Sequence, residues 1–123
     1  MKSYTDLEQS KKLAEILPLE SADMGWNVFV DDSIRCLPID DWDLVKDGSG
    51  NVKFYPAWNL AALLKYLSEI KPQEYTFTLT VSEGKWCLGC MVYGRGYIRD
   101  EFNDVPIDAC VAMIEKLNEL NLL

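Results

Sequence analysis

The sequence predicts an α+β fold in which three helices pack on one small antiparallel sheet of about four to five strands. Two observations carry this prediction: three stretches with apolar residues at helical spacing, and pairs of strand-like stretches joined by short turns. Strands joined by tight turns are antiparallel, so the helices are expected to cover one face of the sheet. The length of 123 residues predicts a single domain over 1–123.

Three stretches have the periodicity of amphipathic helices. In the first, Thr5 and Glu8 fit a capping box, and the helix that follows is predicted to stop at Pro18. The second, over 60–70, repeats leucine at i, i+3, i+4 and i+7. The third begins at Pro106, and its apolar stripe predicts a structural helix docked on the sheet. The residues of the stripe are Ile107, Cys110, Val111, Ile114 and Leu117.

Strand-like stretches occupy the segments before the second helix. A strand is predicted over 26–30, and a short second strand over 34–37. The segments 43–46 and 52–55 flank the turn 47–51, which contains two glycines among small polar residues. Glycine supplies the positive φ values of a tight turn, so these two segments are predicted to form a hairpin.

The clearest strand pattern follows the second helix. Over 75–81, apolar residues alternate with three threonines, which predicts a half-buried strand with a polar outer face. The turn 82–85 leads into a second strand over 86–93, so these segments form a further hairpin. The segment 94–103, which begins with Gly-Arg-Gly, is predicted to be a loop.

Composition and charge exclude several functional classes. The chain has no histidine, which excludes Ser–His and Cys–His catalytic constellations, and we do not expect an enzyme. Twenty acidic and 12 basic residues give a formal charge of −8, so we expect no nucleic-acid partner. No run approaches the roughly 20 apolar residues of a membrane-spanning helix. The polar first residues carry no apolar segment typical of a secretory signal, so we expect a cytoplasmic protein.

The four cysteines raise the question of a metal or redox site. Cys87 and Cys90 form a C-x-x-C pair, which together with Cys36 and Cys110 suggests a four-thiolate zinc site. The pair lies in a predicted strand, however, where residues three apart point to opposite faces. A redox pair would instead begin a helix. We therefore expect reduced core cysteines, no metal and no cofactor.

Other motifs have a structural explanation that suffices. The segment 47–52 resembles the middle of a calcium loop, but the end ligands would be Val45 and Pro56. The segment 83–85 is half of a metal-dependent nuclease motif placed in a turn, and 94–96 has no helix close behind it to help bind phosphate. Clusters of carboxylates are interpreted as solvated charge in loops, so no catalytic residue is expected; they lie at 31–32, 40–43 and 100–104.

Three stretches, 4–24, 56–64 and 106–123, together resemble a group of small proteins from gut Bacteroidales and from their phages and integrated elements. The resemblance covers most of the chain. Where this chain has Ala57-Trp58-Asn59, the group usually has Cys-Trp-Ser. The resemblance implies a cytoplasmic accessory protein of a mobile element. It implies no activity, and no catalytic or binding residue is carried over from it.

These observations favour a non-enzymatic interaction or regulatory module whose partner is a protein or a second copy of the chain. Trp42, Tyr97 and Phe102 lie in predicted loops among charged residues, and aromatic residues in such places are enriched at interfaces. The same residues could instead cap the ends of the core. Two other hypotheses stay open. One is a small-molecule-binding or enzymatic domain, which needs a concave apolar pocket. The other is an acidic decoy that resembles nucleic acid and inhibits a nucleic-acid-binding protein.

Overall fold

The architecture follows from a computed structural model of the chain, which describes residues 2–29, 31–39, 51–94 and 96–123. Helices and antiparallel strands are both present, which confirms the predicted α+β class. In chain order the elements are α1 (Leu7–Ala14), a 3-10 helix (Leu19–Ser21), β1 (Met24–Phe29), β2 (Ile34–Pro38), β3 (Asn51–Ala57), α2 (Leu60–Ile70), β4 (Tyr75–Ser82), β5 (Lys85–Val92), β6 (Gly96–Asn103) and α3 (Pro106–Glu119).

The described strands form two three-stranded sheets rather than one sheet of four to five strands. Their orders are β2-β1-β3 and β4-β5-β6, and every neighbouring pair is antiparallel. The sheets belong to two compact units, Tyr4–Asn59 and Leu60–Leu123 together with Met1–Ser3. The sequence pattern does not show that the strands divide between two sheets. Helix α2 separates β3 from β4, and no short turn between them determines whether those two strands pair.

In the first unit, β1 is the central strand. It pairs with β2 from Met24 opposite Pro38 to Val28 opposite Ile34, which confirms the two strands predicted there. The predicted segment 52–55 lies within β3, which pairs with β1, whereas its predicted hairpin partner 43–46 lies outside the described residues.

The cap of α1 differs by one residue from the prediction. The N-cap is Asp6, whose carboxylate accepts a hydrogen bond from the Gln9 backbone N–H at 2.8 Å. The Gln9 side chain in turn accepts from the Asp6 N–H at 3.1 Å, so the capping box is Asp6–Gln9. The predicted pair Thr5–Glu8 is wrong because the Thr5 hydroxyl is already engaged elsewhere.

Thr5 is buried in a hydrogen-bonded cluster with Trp58. Its hydroxyl accepts from the Trp58 N–H at 3.1 Å and shares a hydrogen bond of 2.8 Å with the hydroxyl of Ser10. The Thr5 N–H donates to the Trp58 carbonyl at 2.9 Å, and the Trp26 indole donates to the Thr5 carbonyl at 2.9 Å. These bonds tie the segment before α1 to β1 and to the residue that follows β3.

In the second unit, the hairpin of β4 and β5 is confirmed. Ser82 lies opposite Lys85, so Glu83 and Gly84 form the two-residue turn between them. Their φ values of 54° and 77° are those of the turn that matches the twist of a hairpin. The predicted stripe of α3 is also confirmed, since all five of its residues are buried and the helix contacts β5, β6 and α2.

The prediction of a loop over 94–103 is wrong. Gly94 is a turn residue with a φ value of 81°, and β6 begins at Gly96, whose φ value is 79°. A register shift between Cys90 and Met91 and three consecutive charged residues at 99–101 interrupt the alternation that identifies a strand. The sequence pattern therefore does not identify β6 as a strand.

Leu122 is hydrogen-bonded to the second unit at two backbone positions. The Leu122 N–H donates to the Leu117 carbonyl at 2.9 Å, and the Tyr75 hydroxyl donates to the Leu122 carbonyl at 2.8 Å. Within the described part of the chain, none of the helices has the length and apolar character needed to cross a membrane.

Candidate interaction surface

The sheet β4-β5-β6 has two chemically different faces. Leu88 and Cys90 on β5 are fully buried, and the helices α2 and α3 contact this sheet. The alternate positions form a second face, which we call the outer face. Its members are Thr76, Thr78 and Thr80 on β4, Cys87 and Met91 on β5, and Phe102 on β6.

Strand register arranges the outer face in rows across the sheet. Thr80, Cys87 and Phe102 form one row, and Thr76 and Met91 begin another that continues to position 97. The row between them passes through Gly89, which adds no side chain. Gly89 is nevertheless buried, so neighbouring groups cover this central part of the outer face.

Large apolar side chains on and beside the outer face are exposed. Phe102 is 66% exposed and Met91 38%, and Tyr93, directly after β5, is 88% exposed. Single exposed hydrophobic residues are common on protein surfaces. Here two of them, Phe102 and Met91, lie on one face of a sheet whose other face is packed, and the row through Gly89 separates them.

The structure describes two of the three aromatic residues that the sequence suggests as an interaction surface. Trp42 lies outside the described residues. Tyr97 and Phe102 both lie in β6, opposite Met91 and Cys87, and not in a loop. Met91 and the threonine row were missed. The alternation of threonine with apolar residues over 75–81 is the signal that identifies the threonine row.

The row that contains Phe102 ends close to an exposed ion pair. Lys85 Nζ lies 2.8 Å from a carboxylate oxygen of Asp104, and both side chains are mostly exposed. Exposed ion pairs contribute little to stability because water and salt screen them. This pair therefore supplies polar groups to the edge of the outer face without holding the sheet together.

The cysteines do not form a thiolate cluster. Cys87 lies on the outer face and Cys90 on the buried face, as their spacing in a strand predicts. Burial raises the pKa of Cys110 to about 12, and burial together with the charge of Asp23 raises the pKa of Cys36 to about 11. Thiols with such pKa values stay protonated at neutral pH, whereas the thiolate is the nucleophile and metal ligand.

The carboxylates show no metal-binding arrangement in the segments that the structure describes, which do not include the cluster at 40–43. No group of three or more His, Cys, Asp or Glu side chains there is placed to hold a metal ion. The exposed Asp31 accepts from the Ser33 hydroxyl at 2.6 Å and from the Ser33 N–H at 3.0 Å, and these bonds lower its pKa. Asp31 is thus an ionised turn residue between β1 and β2.

Buried polar groups give no sign of a ligand site either. Every buried side-chain nitrogen and oxygen among the described residues has a hydrogen-bond partner within the protein. None is left for a bound molecule to satisfy. The outer face is consequently the feature of the described residues that best fits a function.

Comparison of the chain with the models of known protein families, with curated proteins and with solved structures finds no match.

Proposed function

We propose that this chain is a non-enzymatic interaction module that binds a partner protein through the outer face. The observation that carries the proposal is the exposure of Phe102 on the outer face, near the end of the edge strand β6. A large aromatic side chain there gives up the free energy of burial, on the order of 1.5–3 kcal/mol, unless a partner covers it.

The chemistry of the outer face suits protein recognition. Aromatic residues and methionine are enriched at protein interfaces, and Phe102 and Met91 supply both. The exposed hydroxyls of Thr76, Thr78 and Thr80 add hydrogen-bonding groups around them. The acidic chain, with a charge of −8, favours a partner surface with positive charge.

The setting that we propose is the cytoplasm, where reduced thiols such as these persist. The resemblance to small proteins of Bacteroidales mobile elements supports an accessory role there, such as regulation of a protein of the host or of the element.

Quantitative affinity capture tests the proposal. The intact chain would be immobilised and exposed to a lysate of a gut Bacteroidales species, beside two variants, Phe102→Ser and Leu120→Ser. Leu120 is a matched control because it is a large exposed apolar residue, 48% exposed, at the end of α3.

We expect the natural chain and Leu120→Ser to retain one protein in stoichiometric amount, and Phe102→Ser to lose it. A partner retained equally by Phe102→Ser contradicts the proposed surface. The failure of all three chains to retain any protein contradicts the proposed function.

A further inference from the structure

Strand β4 differs from the other outermost strands of the two sheets. β2 contains Arg35 and Pro38, β3 contains Lys53 and Pro56, and β6 contains charged residues at 99–101. Charges and prolines on an edge strand discourage pairing with another chain. β4 has the sequence YTFTLTVS, with no charge and no proline over eight residues. It is therefore the one edge strand among those described that contains neither a charged residue nor a proline.

The edge of β4 is open to another strand. It pairs with β5 on one side, and no other described strand pairs with its second side. Alternate backbone N–H and C=O groups of an edge strand point away from its neighbour and are available to a new partner. At the start of β4 the Tyr75 N–H already donates to the Lys71 carbonyl at 2.8 Å, so the open part of the edge follows Tyr75. Over that part Thr76, Thr78 and Thr80 are exposed, and Val81 is 58% exposed.

The side chains of β4 form a pattern that is symmetric about Thr78. Threonine lies at Thr78 and two residues to either side, while apolar residues lie one and three residues to either side. In an antiparallel pair of two copies centred on Thr78, Thr76 of one copy faces Thr80 of the other. Phe77 likewise faces Leu79, on the face that the helices contact. Threonine pairs and pairs of apolar residues are both favourable across antiparallel strands.

We propose that two copies of this chain pair through β4, edge to edge and antiparallel, to form one continuous six-stranded sheet. A two-fold axis perpendicular to the sheet makes such a contact self-complementary, which is what closed dimers require. The symmetric pattern favours a second copy over a foreign strand, because a foreign strand imposes no symmetry on β4. The inference goes beyond the proposed function, since it uses the backbone of β4 and not Phe102.

The net charge of −8 opposes the association of two copies, and this repulsion supplies an experimental signature. Each copy carries a charge of −8, so only a contact without facing carboxylates brings two copies together readily. Glu74 and Glu83 flank β4 but face Ser82 and Gln73 of the other copy in the proposed register. Salt screens the remaining long-range repulsion, so the dimer is expected to strengthen as ionic strength rises. A dimer held by ion pairs would weaken instead.

Sedimentation equilibrium tests the inference on the intact chain at low and high salt, up to about 1 mM, a range in which small interfaces still associate. Thr78→Lys would place two ammonium groups at the two-fold axis, whereas Thr78→Val keeps an uncharged β-branched residue there. Far-UV circular dichroism and the midpoint of unfolding check that both variants are folded. Phe102→Ser removes the side chain on which the proposed function depends but leaves β4 unchanged, so it distinguishes this inference from the proposed function.

We expect the natural chain, Thr78→Val and Phe102→Ser to dimerise, and Thr78→Lys to raise the dissociation constant at least about tenfold. Hydrogen exchange should also slow at alternate amides of β4 as the concentration of the natural chain rises. A natural chain that stays monomeric up to the highest concentration overturns the inference. A dimer that Thr78→Lys leaves unchanged, or that lacks slowed exchange in β4, overturns it as well.

Discussion

Phe102 on β6 lies directly opposite Cys87 on β5, on the face of the sheet that alternates with the buried Leu88 and Cys90. The aromatic ring is 66% exposed beside a half-buried thiol. The outer face thus presents Phe102 to solvent on a rigid strand, while the core of the second unit is built from the opposite face.

The position of Phe102 predicts that it contributes little to stability. Phe102→Ser is expected to change the free energy of unfolding by less than about 1 kcal/mol, because surface substitutions have small effects. Urea denaturation of the two chains measures this difference. A loss of more than about 3 kcal/mol, the range of buried aromatic truncations, would show that Phe102 is a core residue.

The hydroxyl of Thr5 is expected to contribute more to the stability of the fold than the size of the Thr5 side chain does. Thr5→Val keeps the shape of the side chain but removes the acceptor of the Trp58 N–H and the partner of the Ser10 hydroxyl. Buried groups without partners cost about 1–3 kcal/mol, so the midpoint of urea unfolding should fall accordingly. Thr5→Ser keeps the hydroxyl and serves as the control. Equal stability of the valine variant and the natural chain would show that water replaces the lost bonds.

The buried stripe of α3 predicts a large effect of truncation. Ile114 is completely buried, and Ile114→Ala is expected to cost about 2–5 kcal/mol through lost burial and a residual cavity. Leu120→Ala, at the exposed end of the same helix, is the control and should cost about 0.5 kcal/mol or less. Denaturant unfolding distinguishes the two. A loss below about 0.5 kcal/mol for Ile114→Ala would mean that α3 does not hold the core together.

The buried thiol of Cys110 predicts a loss of stability in alkali. Its pKa is about 12 in the folded chain against an ordinary value of 9.0, so the unfolded state loses its proton first as pH rises. The stabilising effect is complete below pH 9 and is lost as pH rises from 9 towards 12, at up to about 1.4 kcal/mol per pH unit.

A comparison with Cys110→Ala isolates this effect, because every other ionisable group is present in both chains. The difference in unfolding free energy between the two chains should narrow between pH 8 and pH 11. A difference that stays constant over that range would show that the thiol ionises equally easily in both states.

Elements with strong periodicity or a tight turn were predictable from the sequence. The stripe of α3 and the alternation of β4 follow directly from the spacing of apolar residues. The cap of α1 was not predictable, because Thr5 and Asp6 are both good capping residues and only the distant Trp58 N–H decides between them. The choice depends on tertiary structure.

The candidate surface was predictable in chemistry but not in geometry. Phe102 stands out in the sequence as an aromatic residue among charges, and the structure places it in β6 instead of a loop. Met91 could have been assigned to the outer face, because it alternates with Cys87 and lies opposite Thr76 in the predicted hairpin, but its partner in β6 could not, because a register shift intervenes. Bulges of this kind leave no distinct pattern in a single sequence.

The most direct test of the central claim is the affinity of the purified chain for the protein that it captures, measured by calorimetric titration. We predict that Phe102→Ser weakens this affinity at least about tenfold, as truncation of an aromatic anchor does, and that Leu120→Ser changes it less than about twofold. Equal dissociation constants for the natural chain and Phe102→Ser would contradict the assignment of the outer face as the binding surface.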